Sequence, residues 1–366
     1  MSNTTNPASN LTQGETGKHG MEEMAKLLPI AVAITLTNGL VFFMFYKRKS
    51  LRNSSNYLLL GLAVCDFLTG TVSIPYYLIF FFDVVPSNST MRKDFAHSVY
   101  TLHTLMAVSA AYHILVITTE KYLAITQPLR HHLVTKKTVF KVLVGIWVLS
   151  GFIALIPIAW RETQSQFLWY IVHSATCLVI VFLVPYVFMV YAYTVMFKAV
   201  RARKKSWRNK DTVRIQRNYN TDQKCILVFA IMAGTYLCCW LPYFTLMLII
   251  STRSHNKTTN LGTVIERASD AFLIIRYITS VTNPLLYTFF KRDFWLALRS
   301  LSLKKKYSFA VRRTSTLRSF SLAYSAKIRS RSTDSTRSNE AGSPIIEFED
   351  SVQMNEEHII VFVSSV

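Results

Sequence analysis

Residues Ile171–Phe197 read IVHSATCLVIVFLVPYVFMVYAYTVMF, 27 residues without one Asp, Glu, Lys or Arg. A helix rising about 1.5 Å per residue needs about 20 mostly apolar residues to cross a hydrocarbon core roughly 30 Å thick. Six further stretches reach that length: Leu27–Tyr46, Tyr57–Phe82, Ala96–Thr119, Val139–Ala159, Cys225–Ser251 and Ala268–Phe290. The composition agrees, with 51% hydrophobic and only 17% charged residues in 366 and a mean hydropathy of +0.27. A soluble chain carries roughly a quarter charged residues, scattered among the apolar ones. Disordered chains, disulfide scaffolds and most soluble enzymes are thereby excluded. The five cysteines (Cys65, Cys177, Cys225, Cys238, Cys239) all fall inside apolar runs.

The pattern predicts an all-α membrane protein, a seven-transmembrane-helix bundle over 27–290. A polar tail, 1–26, precedes it, an amphipathic segment, 291–306, follows it, and a disordered tail, 307–366, closes the chain. The opening lacks the short apolar core and cleavage site of a signal peptide, so the first span reads as an uncleaved anchor.

Orientation follows from Lys and Arg, which stay on the cytoplasmic side of short loops. With the N-terminus outside, 32 of the 41 lysines and arginines face the cytoplasm. The N-glycosylation triplets at Asn3, Asn10, Asn88 and Asn256 then fall on external segments, and only Asn53-Ser54-Ser55 falls inside. The run Arg201-Ala202-Arg203-Lys204-Lys205 lies between two spans and lacks interleaved base-stacking aromatics beyond Trp207. It reads as a positive-inside loop meeting anionic membrane lipids, with no nucleic acid as partner.

A carboxylate near the bilayer centre costs about 2.5–3.5 kcal/mol on insertion scales, so it needs a partner or a task. Asp66 lies mid-span, and Asn38 and Asn283 are polar groups in similar surroundings. Two readings stay open: helix-to-helix hydrogen bonding, or a network that also holds water or a cation. Pro185, Pro242 and Pro284 interrupt the fifth, sixth and seventh spans, where the missing amide hydrogen and the ring's bulk predict kinks. Arg276 lies eight residues before Pro284, about 12 Å toward the outer half. A buried guanidinium wants a carboxylate or phosphate. Glu266 or Asp270 can supply one structurally, and an acidic ligand can supply one functionally.

These residues resemble the rhodopsin-like class of G-protein-coupled receptors over about Leu27–Leu303, as a divergent branch. The likeness rests on Asn38-Gly39, Leu62-Ala63-Val64-Cys65-Asp66, Glu120-Lys121-Tyr122, Trp147, Pro185 with Tyr193, Cys239-Trp240-Leu241-Pro242 and Asn283-Pro284-Leu285-Leu286-Tyr287, each on its proper span. The resemblance implies an extracellular small-molecule, lipid or peptide ligand, an outward swing of the sixth helix, and a heterotrimeric G protein as partner. It makes Trp240 the switch beneath the ligand, and it has Tyr193 and Tyr287 meet through water in the active state. It places Asp66, Ser280 and Asn283 in a sodium pocket, although Ala110 stands where a serine often supplies another oxygen.

Lys121 replaces the family's arginine, keeping the charge and losing the planar fork. Asp222, aligned with the acid that closes the inactive state, is its expected latch partner. The usual external disulfide is absent, since Ala96 stands near one cysteine position and 161–166 holds none. A similar short loop occurs in melanocortin, cannabinoid and lysophospholipid receptors. His103 occupies the position whose aspartate binds biogenic amines, and Tyr277 that of the opsin lysine, so amine recognition is disfavoured and no covalent link to retinal is expected. His103, His173, Tyr243, Phe244, Arg276 and Tyr277 are the ligand candidates by position, with Trp240 beneath them.

The segment after the bundle places Phe294, Trp295, Leu298 and Leu301 on one face, as an interfacial eighth helix does. The Ser/Arg-rich stretch Ser319–Ser338 offers phosphorylation sites, which by resemblance arrestin reads. Ser364-Ser365-Val366 has the form that adds a strand to a PDZ domain. With no HExxH pair, phosphate-binding glycine loop or nucleophile elbow, the expectation is a receptor and no enzyme. The competing readings are a non-coupling decoy or scaffold, favoured by Lys121, and a seven-helix transporter, for which Asp66 lacks a relay partner.

Overall fold

A computed structural model describes residues 7–81, 90–160, 163, 165–207, 213–256 and 262–301. They form helices throughout, with no strand among the described residues: α1 (Pro7–Lys47), α2 (Ser54–Leu68), α3 (Ile74–Phe81), α4 (Thr90–Thr126), α5 (Pro128–His131), α6 (Lys136–Leu155), α7 (Gln166–Thr176), α8 (Val184–Trp207), α9 (Val213–Asn256), α10 (Gly262–Phe290) and α11 (292–301). Six described stretches are long and apolar enough to cross a membrane: Met21–Lys47, Ser54–Ile79, Met91–Thr126, Lys136–Trp160, Leu168–Arg203 and Gln223–Leu246. The seventh helix of the bundle is α10, packed between α9 and α1. Its inner face carries Arg276, Thr279, Ser280 and Asn283, all buried, which lowers its apolar content.

Leu36, Phe140, Val148, Phe152 and Val187 point out of the bundle while Asp66, Glu120, Arg276 and Asn283 point in. Water would reverse that arrangement, whereas hydrocarbon supports it. At the centre α4 packs against α2, α6, α8 and α9. Close approach needs glycine at two places. A Cβ on Gly70 would lie 2.9 Å from Ile34 Cγ2 and 3.0 Å from the Ala31 carbonyl; one on Gly61 would meet Leu143 and His113. Gly39, by contrast, has open space.

The turn between α1 and α2 is built by side chains. Arg52 donates to the carbonyls of Phe45 and Tyr46, capping the end of α1, and Asn53 accepts from the Asn56 amide as the N-cap of α2. Asn53 thus has a structural task, which accounts for the one triplet read as internal.

The predicted interruptions differ from what is found. Pro185 follows a π-helical turn, Cys177–Leu183, and Pro75, which the sequence reading passed over, follows another, Thr69–Ser73. A widened turn relieves the clash between a proline ring and the carbonyl four residues earlier. At Pro242 and Pro284, α9 and α10 run on as helix without interruption. On α11, Phe294 and Ala297 are buried, with the Phe294 ring 5.1 Å from Tyr287 and 5.8 Å from Phe45, while Trp295 turns outward. Trp295 therefore does not share the bundle-facing side with Phe294.

Asn3, Asn88, Ser319–Ser338 and Ser364–Val366 lie outside the described residues, as do the side chains of Asn10, Asp222, Asn256, Glu266 and Asp270.

Candidate functional site

Four helices close around a cavity of about 500 Å³, its open mouth included. Tyr100, His103, Thr104 and Ala107 come from one face of α4, spaced as helical neighbours must be. Ser174 and Cys177 enter where α7 passes into its π turn, Tyr243 and Phe244 from α9, and Arg276 from α10.

Arg276 dominates the chemistry. It is only 1% exposed, and its Cζ lies 4.1 Å from the centroid of Tyr243, 4.8 Å from Tyr277 and 5.4 Å from Trp240. Its Nη2 donates to His103 Nδ1 at 3.1 Å and to the Tyr277 hydroxyl at 3.0 Å. A guanidinium has no lone pair to offer, so His103 Nδ1 accepts and its proton sits on Nε2. That Nε2 then donates to the Tyr277 hydroxyl at 3.2 Å. Arg276 Nε is buried without a partner, and no ion pair to Arg276 exists among the described residues. Burying an ion costs several kcal/mol after relaxation, and three aromatic faces return only part of it, at about 0.5–2 kcal/mol each.

Below the cavity, an aromatic column leads inward. Phe244 stacks on Trp240 at 5.9 Å, Trp240 on Tyr236 at 5.3 Å, and Tyr236 on Phe182 at 5.6 Å. Trp240 Nε1 donates to Thr279 at 3.2 Å, and the Tyr236 hydroxyl donates to the Ala107 carbonyl at 3.0 Å. The column thus ties α9 to α10, to α4 and to the π turn before α8.

Deeper still, Asn283 Nδ2 donates to Asp66 at 3.3 Å, and Asn38 Nδ2 donates to the carbonyls of Ile34 and Ser280. The Oδ1 atoms of Asn38 and Asn283 are buried without donors. A carboxylate and a free amide oxygen are the donor types a hard monovalent cation takes. The Ser109 hydroxyl, next to Ala110, lies 3.3 Å from His113 Nδ1.

At the far end of the bundle the switch residues lie in two groups. Lys121 Nζ reaches Glu120 Oε2 at 2.7 Å and Ser55 Oγ at 2.6 Å, and lies 5.3 Å from the Phe229 ring centroid. His131, on α5, meets Glu120 Oε1 at 2.7 Å. Lys121 therefore folds back onto its neighbour and onto α2. Lys291 hydrogen-bonds Asn56 and Asp293. Burial, reinforced by the charge of Lys121, holds its ammonium below the usual lysine range. The Tyr193 hydroxyl is bonded to Thr118 at 2.9 Å, and the Tyr287 hydroxyl is buried without a partner. Tyr122 turns toward α8, its ring 6.5 Å from Phe188.

The profile described as 7 transmembrane receptor (rhodopsin family) matches residues 37–287. The chain belongs to the rhodopsin family of seven-transmembrane receptors. It is 26% identical to the histamine H2 receptor of Cavia porcellus over 296 residues, 75% of this chain and 78% of that one. It is 26% identical to 5-hydroxytryptamine receptor 7 of Xenopus laevis, over 75% and 76% of the two chains. Octopamine receptor beta-2R of Chilo suppressalis is 24% identical, over 82% and 85%.

Within this receptor of the rhodopsin family, His103, Tyr243, Phe244 and Arg276 meet at the cavity wall, and Trp240 and Tyr277 lie directly behind them. His173 is drawn away, bonded to the Ile153 carbonyl at 3.0 Å and to Tyr100 at 3.3 Å. Tyr100, Thr104, Ala107, Ser174 and Cys177 were not singled out in advance. The three on α4 sit at helical spacings from His103 and were readable from it, whereas the π turn that presents Cys177 leaves no sequence signal beyond the later Pro185.

Proposed function

We propose that this chain is a plasma-membrane receptor, N-terminus outside and C-terminus cytoplasmic, that passes the binding of an acidic extracellular ligand to a heterotrimeric G protein. The observation that carries the reading is Arg276, a buried cation on the cavity wall with a free Nε and, among the described residues, no carboxylate against it. The relatives are named for histamine, 5-hydroxytryptamine and octopamine, which are amines. Among the described residues no Asp or Glu lines the cavity, and Arg276 repels an ammonium.

In this reading the ligand's acid neutralises Arg276 and draws it from Trp240 and Tyr243. The aromatic column shifts, α9 moves against α4, and the inward end opens. Lys121 leaves Glu120 and Ser55, and Tyr193 leaves Thr118 to approach Tyr287. Asp66, Ser280 and Asn283 hold a sodium ion in the resting receptor, adding positive charge beside the buried carboxylate. The phosphorylated tail and its last residues extend the reading to arrestin and a PDZ domain.

Nucleotide exchange on purified G proteins, driven by full-length receptor and pooled organic acids, tests it. Stimulated exchange that disappears in Arg276→Gln, with surface expression intact, supports it; exchange indifferent to that change removes the anchor. A second reading, a non-coupling decoy, is favoured by Lys121 standing where the family has arginine. It predicts exchange in Lys121→Arg and none in wild type.

A further inference from the structure

We infer that the ligand is a small aromatic monocarboxylate, free of ammonium groups, that also carries a hydroxyl. This rests on the acidic-ligand reading of the same cavity and narrows its chemistry. Charge sets the acid. Among the described residues Arg276 is the single cationic one lining the cavity, and His103 is a hydrogen-bond acceptor toward it and hence neutral. One positive charge balances a carboxylate, whereas a phosphate monoester would bring a second negative charge into a low-dielectric site with nothing to meet it. The described lining side chains include no acidic residue, the partner that the ammonium of an amine or an amino acid needs.

The walls set the body. Tyr100, Tyr243 and Phe244 present ring faces and edges, and Phe244 continues the stack that ends on Tyr236. A planar ring placed there extends an existing column, gaining contact that an aliphatic ring of similar bulk cannot match. With the open solvent at its mouth left out, the cavity holds about 60 Å³, which calls for a small ligand. The hydroxyl follows from Ser174 and Thr104. Ser174 enters from α7 and Thr104 from α4, so the cavity wall carries neutral hydroxyls besides Arg276. Neutral hydroxyls pair with a hydroxyl and offer no counter-charge.

The test uses full-length receptor in lipid nanodiscs and five probes: 3-(4-hydroxyphenyl)propanoate, tyramine, tyrosine, 2-(4-hydroxyphenyl)ethyl phosphate and 3-cyclohexylpropanoate. Binding is measured calorimetrically, without a G protein. The first probe is expected to bind at least about tenfold more tightly than each of the others. Arg276→Gln should weaken it by about tenfold or more, and Ser174→Ala by a few fold, with Arg276→Lys retaining part of the affinity as a control for folding. Tighter binding of tyramine or of the phosphate overturns the inference, as does equal binding of the cyclohexyl acid. No binding of the first probe below about 1 mM overturns it too. If a different acid still drives Arg276-dependent exchange, the receptor reading stands while this narrower one falls.

Discussion

At the scale of single residues, Arg276 separates a functional from a structural reading. A guanidinium serving packing would lose stability on removal. One held for a ligand leaves an unliganded protein strained by an uncompensated charge. Arg276→Met is therefore expected to keep or raise the melting temperature of the ligand-free receptor while ligand-driven exchange is lost. A fall of several degrees, read by thermal denaturation in nanodiscs, would favour the structural role. Glu120 makes the opposite case. Its carboxylate holds Lys121, His131 and Ser55 together. Glu120→Gln should raise ligand-independent exchange and cost about 1–3 kcal/mol of stability, measurable as basal nucleotide turnover and a lower melting point. The positions of His103, Tyr243 and Arg276 were legible because helical spacing and distance from Pro284 place them. The contact of Lys121 with adjacent Glu120 was not, because only packing decides whether a lysine folds back on its neighbour; the expected pairing with Asp222 falls outside the described residues.

At the scale of elements, glycine and proline show what spacing hides. Gly39 belongs to a recognised motif yet has open space around it, while Gly70 lies against the Ala31 carbonyl. Gly39→Ala should be neutral or stabilising by up to about 1 kcal/mol, as alanine restricts the unfolded chain. Gly70→Ala should destabilise by about 1–3 kcal/mol, because backbone on α1 cannot yield as a side chain can. Parallel melting curves check the pair, and the reverse order would mean that α1 and the π turn of the second span are not in contact. The seven spans were legible as runs of hydropathy. The π turns were not, since a single proline is compatible with a kink, a bulge or an unbroken helix, and Pro185 and Pro242 chose differently.

At the scale of the whole molecule, the bundle keeps its polar residues inside and is joined by packing and interhelical hydrogen bonds, with Cys65, Cys177, Cys238 and Cys239 as free thiols. Ligand-driven exchange should therefore be unchanged by a reducing agent at concentrations that open external disulfides; a loss of response would reveal a covalent link. Orientation is tested by glycosylation. Replacing Asn3, Asn10, Asn88 and Asn256 together by Gln should remove the glycosidase-sensitive mobility shift of the receptor from cells, with Asn53 contributing nothing. A shift that persists would place Asn53 outside and invert the topology.

The two ends of the bundle are joined in this account by Arg276, Trp240 and the stack down to Tyr236. Nucleotide exchange on a G protein in the same nanodisc, measured while acids and amines of matched shape are titrated in turn, tests that coupling. Stimulation by acids alone, abolished by Arg276→Gln and partly kept by Arg276→Lys, is the predicted result. Stimulation by an amine that Arg276→Gln leaves intact would contradict it.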